Sequence, residues 1–227
     1  VDEAWSAALG VPLVEGYGLT EASPIVCANR LDGPAFPGTL GLPLPSPEVA
    51  ITDLDGHEVA LGEIGEIRVR GPQVMKGYLG QPEETAQVLT PDGWLRTGDM
   101  GRMAASGYVE FVDRSKDIIV VSGFKAFPAE IEDVAKRLPG VREAGAVGIP
   151  DERTGEAVAL FVVAGDPGLT VAHVRAHCEE HLVAYKRPRH IELRPDLPMS
   201  ALGKVLRREL RRMMLERRSE GQAPNAP

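Results

Sequence analysis

The chain has 227 residues, 43% of them hydrophobic and 26% charged, enough for one large domain or two small ones with apolar cores. A net charge of −8 speaks against a nucleic-acid binder, no apolar run approaches the roughly 18 residues of a membrane-spanning helix, and the opening VDEAWSAALG lacks the features of a signal peptide. Two distant cysteines, Cys27 and Cys178, form no metal-type cluster, so a reduced cytoplasmic setting without structural disulfides is expected.

Residues 1–10 read as the end of a helix, with Ala4, Trp5, Ala8 and Leu9 at helical spacing, so the chain is expected to start inside an element. VPLVEGYG (11–18) follows as a short buried strand running into a glycine-containing turn. Within EGYGLTEASP (15–24), Gly16 and Gly18 bracket Tyr17, and Thr20 stands beside Glu21 in a sharp turn. Glycine lets backbone approach a ligand closely. A hydroxyl next to a carboxylate is the hard-oxygen pair that Mg2+ and phosphate require, and an aromatic ring offers a face to a base. A turn with an internally satisfied threonine accounts for the same residues.

Between Gly38 and Val112 come short alternating segments: EVAITDLDG (48–56), GEIRVRG (65–71) and GYVEFVD (107–113). Turns at Asp55-Gly56, Gly71-Pro72 and Ser106-Gly107 bound them, a pattern that suits a small β-barrel or a strongly bent sheet. In DGWLRTGDMG (92–101), Asp99 lies between glycines at a strand end, where its carboxylate could accept two ribose hydroxyls or bond its own turn.

The texture changes after Asp113. Arg114, Lys116 and Asp117 crowd a linker before the strand DIIVVSG (117–123), and Pro128 then opens a helix through PAEIEDVAKRL. Ser122-Gly123 and Lys125 sit near the start of that helix, where an anion would be favoured. REAGAVGIP (142–150) and EAVALFVVAG (156–165) read as strands, Thr170 caps a helix through about His181, and HIELRPDLP is a last strand. In LPMSALGKVLRREL (197–210), Ser200, Gly203 and Lys204 form a turn that presents one lysine ahead of a helix. A mobile ammonium can follow charge developing on phosphate or carboxylate oxygens, although a lone lysine is commonly just solvated. Residues 204–218 carry seven Lys/Arg against Glu209 and Glu216, either a solvated face or an attraction for a polyanion. The tail GQAPNAP (221–227) lacks apolar periodicity and is expected to be disordered. The whole is α+β: a β-barrel-like segment followed by a small α+β domain.

Taken together, the four stretches around Tyr17, Asp99, Lys116 and Lys204 resemble, in order and spacing, the signature motifs of the adenylate-forming superfamily of acyl-CoA synthetases, adenylation domains and luciferase. PGTLGLPLPSPEVAITD, RGPQVMKGYLG, DRSKDIIVVSGFKAFPAEIEDV, GEAVALFVV and LPMSALGKVLRREL are most similar to bacterial long-chain fatty acyl-CoA ligases. The resemblance covers residues 5–212. It implies that residues 1–113 are the C-terminal part of a large adenylate-binding domain, 114–217 a small mobile C-terminal domain, and 218–227 a disordered tail.

The activity implied has two steps. ATP converts a fatty acid to an acyl-adenylate with release of pyrophosphate, and the coenzyme A thiol then displaces AMP. Thr20 would contact phosphate and Glu21 would hold Mg2+. Gly16 and Tyr17 would line the adenine pocket, with Tyr17 against the base, and Asp99 and Arg114 would hold the ribose. Lys204 would stabilise the adenylation transition state. Lys116 matches the hinge, and Gly123 and Lys125 would face coenzyme A after rotation. The family's Ser/Thr/Gly-rich phosphate loop has no match in these residues, so a fragment inactive alone is expected, with exposed apolar surface that drives self-association. Peripheral membrane contact is compatible with the composition. An aryl- or medium-chain ligase, and a non-catalytic adenylate-binding or interaction module, are the alternatives.

Overall fold

The computed structural model describes residues 2–11, 13–32, 36, 38–201 and 203–219. The chain divides into two compact units, Val1–Ser115 and Lys116–Pro227.

In the first unit, helix α1 (Asp2–Leu9) precedes strands β1 (Gly16–Gly18), β2 (Ile25–Ala28) and β3 (Leu42–Pro43), which pair antiparallel in that order. The buried strand expected to open at residue 11 is instead β1, which falls on the glycine segment expected to turn and is exposed at both glycines and half-buried at Tyr17. Its turn closes so tightly that a Cβ on Gly18 would lie 1.9 Å from the Pro24 carbonyl oxygen, a position only glycine can take. A short 3-10 turn, Thr20–Ala22, follows, and Ser23 completes it in the left-handed region at φ 49°.

Strand β4 (Glu48–Thr52), β5 (Gly65–Arg70), helix α2 (Pro82–Val88), β6 (Leu95–Met103) and β7 (Val109–Arg114) follow, the strands forming an antiparallel sheet in the order β4-β5-β6-β7. Ile51, Ile67, Val69, Leu95 and Val109 point to one face and share a core with Ala22, Val26 and Cys27. Among the described residues the sheets are open, and the barrel-like texture comes from two such sheets on one core, with bulges at Glu66/Arg68 and Met100/Gly101. Helix α2 was not legible in the sequence: all seven of its residues remain at least partly accessible, so it carries no buried stripe to read.

The second unit begins with β8 (Ile119–Val121) and β9 (Phe124–Ala126). The single strand expected here is a hairpin, because Ser122 and Gly123 both take positive φ, 51° and 83°, as a tight two-residue turn demands. Helix α3 (Pro128–Lys136), β10 (Val141–Asp151), β11 (Gly155–Ala164), helix α4 (Val171–His181), β12 (His190–Arg194) and helix α5 (Arg207–Ser219) complete it. The sheet order is β10-β11-β8-β9, with β12 parallel to β11.

Strand β11 is buried on both faces, which explains its unbroken apolar run. Val158, Leu160 and Val162 pack with Ile131, Val134, Val174 and Cys178 of α3 and α4. Ala157, Ala159, Phe161 and Val163 pack with Leu197 and with Leu210 and Met214 of α5. Thr170 caps α4 as its position suggested, its hydroxyl accepting from the His173 amide at 3.3 Å.

The basic residues of α5 are largely spoken for. Arg207 grips Glu132 with two bonds of 2.9 and 2.7 Å, Arg211 reaches Glu156, Arg212 pairs with Glu209 and Glu216, and Arg217 with Glu192. Both cysteines are free and buried, and burial pushes their thiols up, Cys27 to about 12 and Cys178 to about 11. No helix among the described residues is long and apolar enough to cross a membrane. Residues 220–227, which contain most of the expected disordered tail, lie outside the described residues.

Candidate functional site

The first unit holds six of the singled-out residues, Gly16, Tyr17, Thr20, Glu21, Asp99 and Arg114, two of them carboxylates. Tyr17 sits in β1 opposite Cys27, and its hydroxyl donates to Asp99 Oδ2 at 2.7 Å. Asp99 lies in β6 directly opposite Arg114 in β7, whose Nε stands 3.6 Å from Asp99 Oδ1. Gly98, at φ 72°, turns the chain so that Asp99 can face this way, and its amide donates to Glu66 Oε1 at 3.2 Å. The Asp99 amide donates to the Thr97 hydroxyl at 3.1 Å, and that hydroxyl donates to the Ile67 carbonyl at 2.7 Å. Asp99 is therefore held by the strand geometry of β5, β6 and β7 as well as by its own side-chain partners.

Burial, then the negative charge of Asp99, then the bond to its carboxylate, all push the Tyr17 phenol far above its ordinary value. It stays a donor at any physiological pH. Gly16 lies exposed beside it, its position such that a Cβ would come within 3.4 Å of the Cys27 carbonyl oxygen.

Glu21 occupies the 3-10 turn, half-buried, with Thr20 exposed next to it. The turn is laced to the segment after β5 twice: the Met75 amide donates to the Glu21 carbonyl at 2.8 Å, and the Tyr78 hydroxyl donates to Glu21 Oε1 at 2.9 Å. The bond to Glu21 is also the main reason the Tyr78 phenol is pushed above its usual range. The Tyr78 amide in turn donates to the Thr85 hydroxyl at 2.9 Å. Tyr78 was missed by sequence reasoning. Its only signal was a tyrosine within MKGYLG, and 57 residues separate it from Glu21.

The remaining candidates stand on the second unit. Lys116 lies in a single 3-10 turn, Ser115–Asp117. Gly123 forms the tip of the β8–β9 hairpin and Lys125 is exposed on β9. Lys204 is exposed at the end of a turn closed by Ser200: the Ser200 amide donates to the Lys204 carbonyl at 2.7 Å and the Lys204 amide donates to the Ser200 hydroxyl at 3.1 Å. Gly203, at φ 73°, makes that turn possible.

A second feature escaped the sequence reading. An open cavity of about 770 Å3 borders the hairpin at Ser122 and is lined by Arg153, Arg175, Tyr185, Arg187 and Arg189. Tyr185 stacks on Phe124 with ring centroids 5.1 Å apart. The run AYKRPRH was its only sequence trace, and it reads as a solvated loop until the strand ends bring Arg153 and Arg175 alongside.

Chemically, the first unit offers a carboxylate framed by a phenol and a guanidinium, suited to a sugar diol. It also offers a hydroxyl–carboxylate pair of hard oxygens, suited to Mg2+. The second unit offers an exposed lysine and a cavity lined by arginines that suits phosphates.

Residues 1–79 match the family model described as AMP-binding enzyme, and residues 130–204 the model described as AMP-binding enzyme C-terminal domain. A long-chain-fatty-acid–CoA ligase of Salmonella typhimurium is 50% identical over 211 residues, covering 93% of this chain and 37% of that protein. One from Bacillus subtilis is 44% identical over 212 residues, covering 92% of this chain and 38% of that protein. Among solved structures, ATP-bound MatB from Rhodopseudomonas palustris matches with a TM-score of 0.86 at 37% identity, covering 93% of this chain and 42% of that one. The anthranilate CoA ligase AuaEII, in complex with anthranoyl-AMP, matches with a TM-score of 0.80 at 33% identity, again covering 93% and 42%. The chain thus spans well under half the length of the relatives it matches.

Proposed function

We propose, because the chain belongs to the family of AMP-binding enzymes, that it forms part of an AMP-forming ligase that activates long-chain fatty acids with ATP and passes them to coenzyme A. The observation that carries the reading is the framed Asp99 carboxylate, with Tyr17 at 2.7 Å and Arg114 at 3.6 Å, in a chain 50% identical to long-chain-fatty-acid–CoA ligases.

In this reading Asp99 accepts the ribose hydroxyls, Arg114 balances its charge, and Gly16 and Tyr17 border the adenine. Thr20 contacts phosphate. Glu21, one oxygen already fixed by Tyr78, and the exposed Thr20 hydroxyl form a donor set that fits Mg2+, which when bound would offset phosphate charge. A carboxylate is a poor electrophile, so the fatty acid attacks the α-phosphate and pyrophosphate leaves. The ammonium of Lys204 meets the negative charge that builds between the two. The coenzyme A thiol then attacks the acyl carbon and AMP departs. Its phosphates suit the cavity lined by Arg153, Arg175 and Arg187, beside Gly123 and Lys125, and Lys116 serves as the hinge. We take residues 1–113 as part of the large domain and 114–217 as the mobile one. A cytoplasmic setting accords with two free, buried thiols.

The test is pyrophosphate exchange by the complete protein with fatty acids of graded length, repeated with Lys204→Ala. Exchange that peaks with long acids and falls at least a hundredfold in the variant supports the reading. No exchange with any carboxylic acid would sink it. The chain alone should turn over little. Its exposed Leu31, Leu54, Leu61 and Leu79 favour self-association, which sedimentation at rising concentration checks against a constant monomer.

A second acid class also has support. A Rhodococcus jostii ligase named for a methyl-dioxo-octahydroindenyl propanoate is 42% identical over 202 residues. Likeness in this part of the chain therefore extends to acids of quite different shape, and the graded-acid assay separates the two.

A further inference from the structure

We propose that Tyr17 is a positioning residue for the ribose, its phenol holding the Asp99 carboxylate in the orientation that receives the sugar diol. The inference rests on the ligase reading above and gives Tyr17 a task distinct from offering its ring face to the base.

Three observations carry it. The bond from the Tyr17 hydroxyl to Asp99 Oδ2 is short, 2.7 Å, and joins residues 82 apart in sequence that sit in different sheets. A donor facing an ionised carboxylate at that distance is charge-assisted and roughly twice as strong as a neutral pair. Second, the Asp99 side chain is only 15% exposed and is framed from both sides, with Arg114 Nε 3.6 Å from its other oxygen. Rotating the carboxylate would weaken both contacts together. Third, both backbones are fixed independently of any ligand. The close approach of Gly18 to Pro24 and the pairing with Cys27 set Tyr17, while Gly98 and Thr97 set Asp99.

A carboxylate has about four lone-pair directions. The phenol fixes one of these directions on Oδ2, and with it the plane in which the carboxylate meets the two vicinal hydroxyls. Burial beside a negative charge keeps the phenol protonated, so it cannot turn into a competing anion. Without the hydroxyl, the carboxylate would lean towards the guanidinium, and one sugar hydroxyl would lose its alignment.

The test is calorimetric binding of AMP and of 2′,3′-dideoxy-AMP to the complete protein, as wild type, Tyr17→Phe, Asp99→Asn and the double variant. Phenylalanine keeps the ring face and removes only the donor. We expect Tyr17→Phe to weaken AMP roughly tenfold and to leave dideoxy-AMP unchanged. In the Asp99→Asn background it should add nothing, because the pair acts as one unit. Equal weakening of both nucleotides, or no weakening, would overturn the inference, as would simple additivity of the two substitutions. A wild type that binds no AMP would sink the ligase reading together with this one. That failure differs visibly from the others, which all require a wild type that binds.

Discussion

Arg207 stands three residues beyond Lys204, and its ion pair with Glu132 ties the start of α5 to α3. Two guanidinium nitrogens make the contact, Nε donating to Oε1 at 2.9 Å and Nη2 to Oε2 at 2.7 Å, a bidentate fork. The side chains are only 20% and 9% exposed, and Glu132 Oε1 also accepts the Ala146 amide at 2.8 Å. Asp117 adds a second carboxylate 3.4 Å from Nη1. Replacing Arg207 with methionine fills the space but strands a nearly buried carboxylate.

Breaking such a pair costs about 3–5 kcal/mol when burial is complete. The residual exposure of the arginine and the surviving Ala146 bond place the expected loss near the lower end, about 3 kcal/mol. With a urea slope of about 2 kcal/mol/M for a domain of this size, the midpoint should fall by roughly 1.5 M. Adding Glu132→Gln to Arg207→Met should return part of the loss, since glutamine still accepts from Ala146 and carries no charge. The assay is urea unfolding followed by circular dichroism for wild type, both single variants and the double variant. A midpoint change under about 0.3 M for Arg207→Met, corresponding to well under 1 kcal/mol, would refute the reasoning. So would two losses that simply add, because coupled partners must deviate from additivity.

Three further outcomes are expected. Gly18→Ala would push a methyl to 1.9 Å from the Pro24 carbonyl oxygen, so the turn carrying Thr20 and Glu21 must open. AMP binding should be lost by more than tenfold while the second unit keeps its stability, and unchanged binding would show that the turn is not part of the nucleotide site. Tyr78→Phe frees Glu21 to rotate, and the Mn2+ affinity of the ATP-bound complete protein, read from the free-ion resonance, should weaken roughly tenfold. An unchanged affinity would remove Tyr78 from the site. Asp151, held at about 2 chiefly by the Thr154 hydroxyl and then by backbone amides and Arg189, is depressed below the unfolded value. Its contribution is therefore present above about pH 4 and lost as pH falls towards 2, and Thr154→Ala should flatten the acid limb of the stability profile in that window.

The fold was legible where burial imposes a period. The alternation of apolar residues marks β4, β5 and β7 as strands, although β5 buries Glu66 and Arg68 on its second face as well, and β11 declares two buried faces through an unbroken run from Ala157 to Ala164. Turn chemistry marked Pro128 and Thr170 as helix starts because each supplies a specific local geometry or bond. Sequence reasoning lost its grip where tertiary contact overrides periodicity. Strand β1 is two glycines around a tyrosine and exists because Gly18 can touch Pro24; nothing in its composition announces a strand. The site divides along the same line. Glu21, Asp99 and Arg114 were findable since each is a charge in an unusual local setting. Tyr78 and the arginines of the second unit's cavity were not, because their chemistry is made only by approach across long sequence separations. A hydroxyl is silent in sequence until a carboxylate stands 2.9 Å away. That asymmetry has a physical root: groups that meet reacting atoms need particular charges, whereas groups that orient them need only to be near. Residues proposed here to orient others, such as Tyr17 and Tyr78, are therefore where a structure adds most to what a sequence already tells.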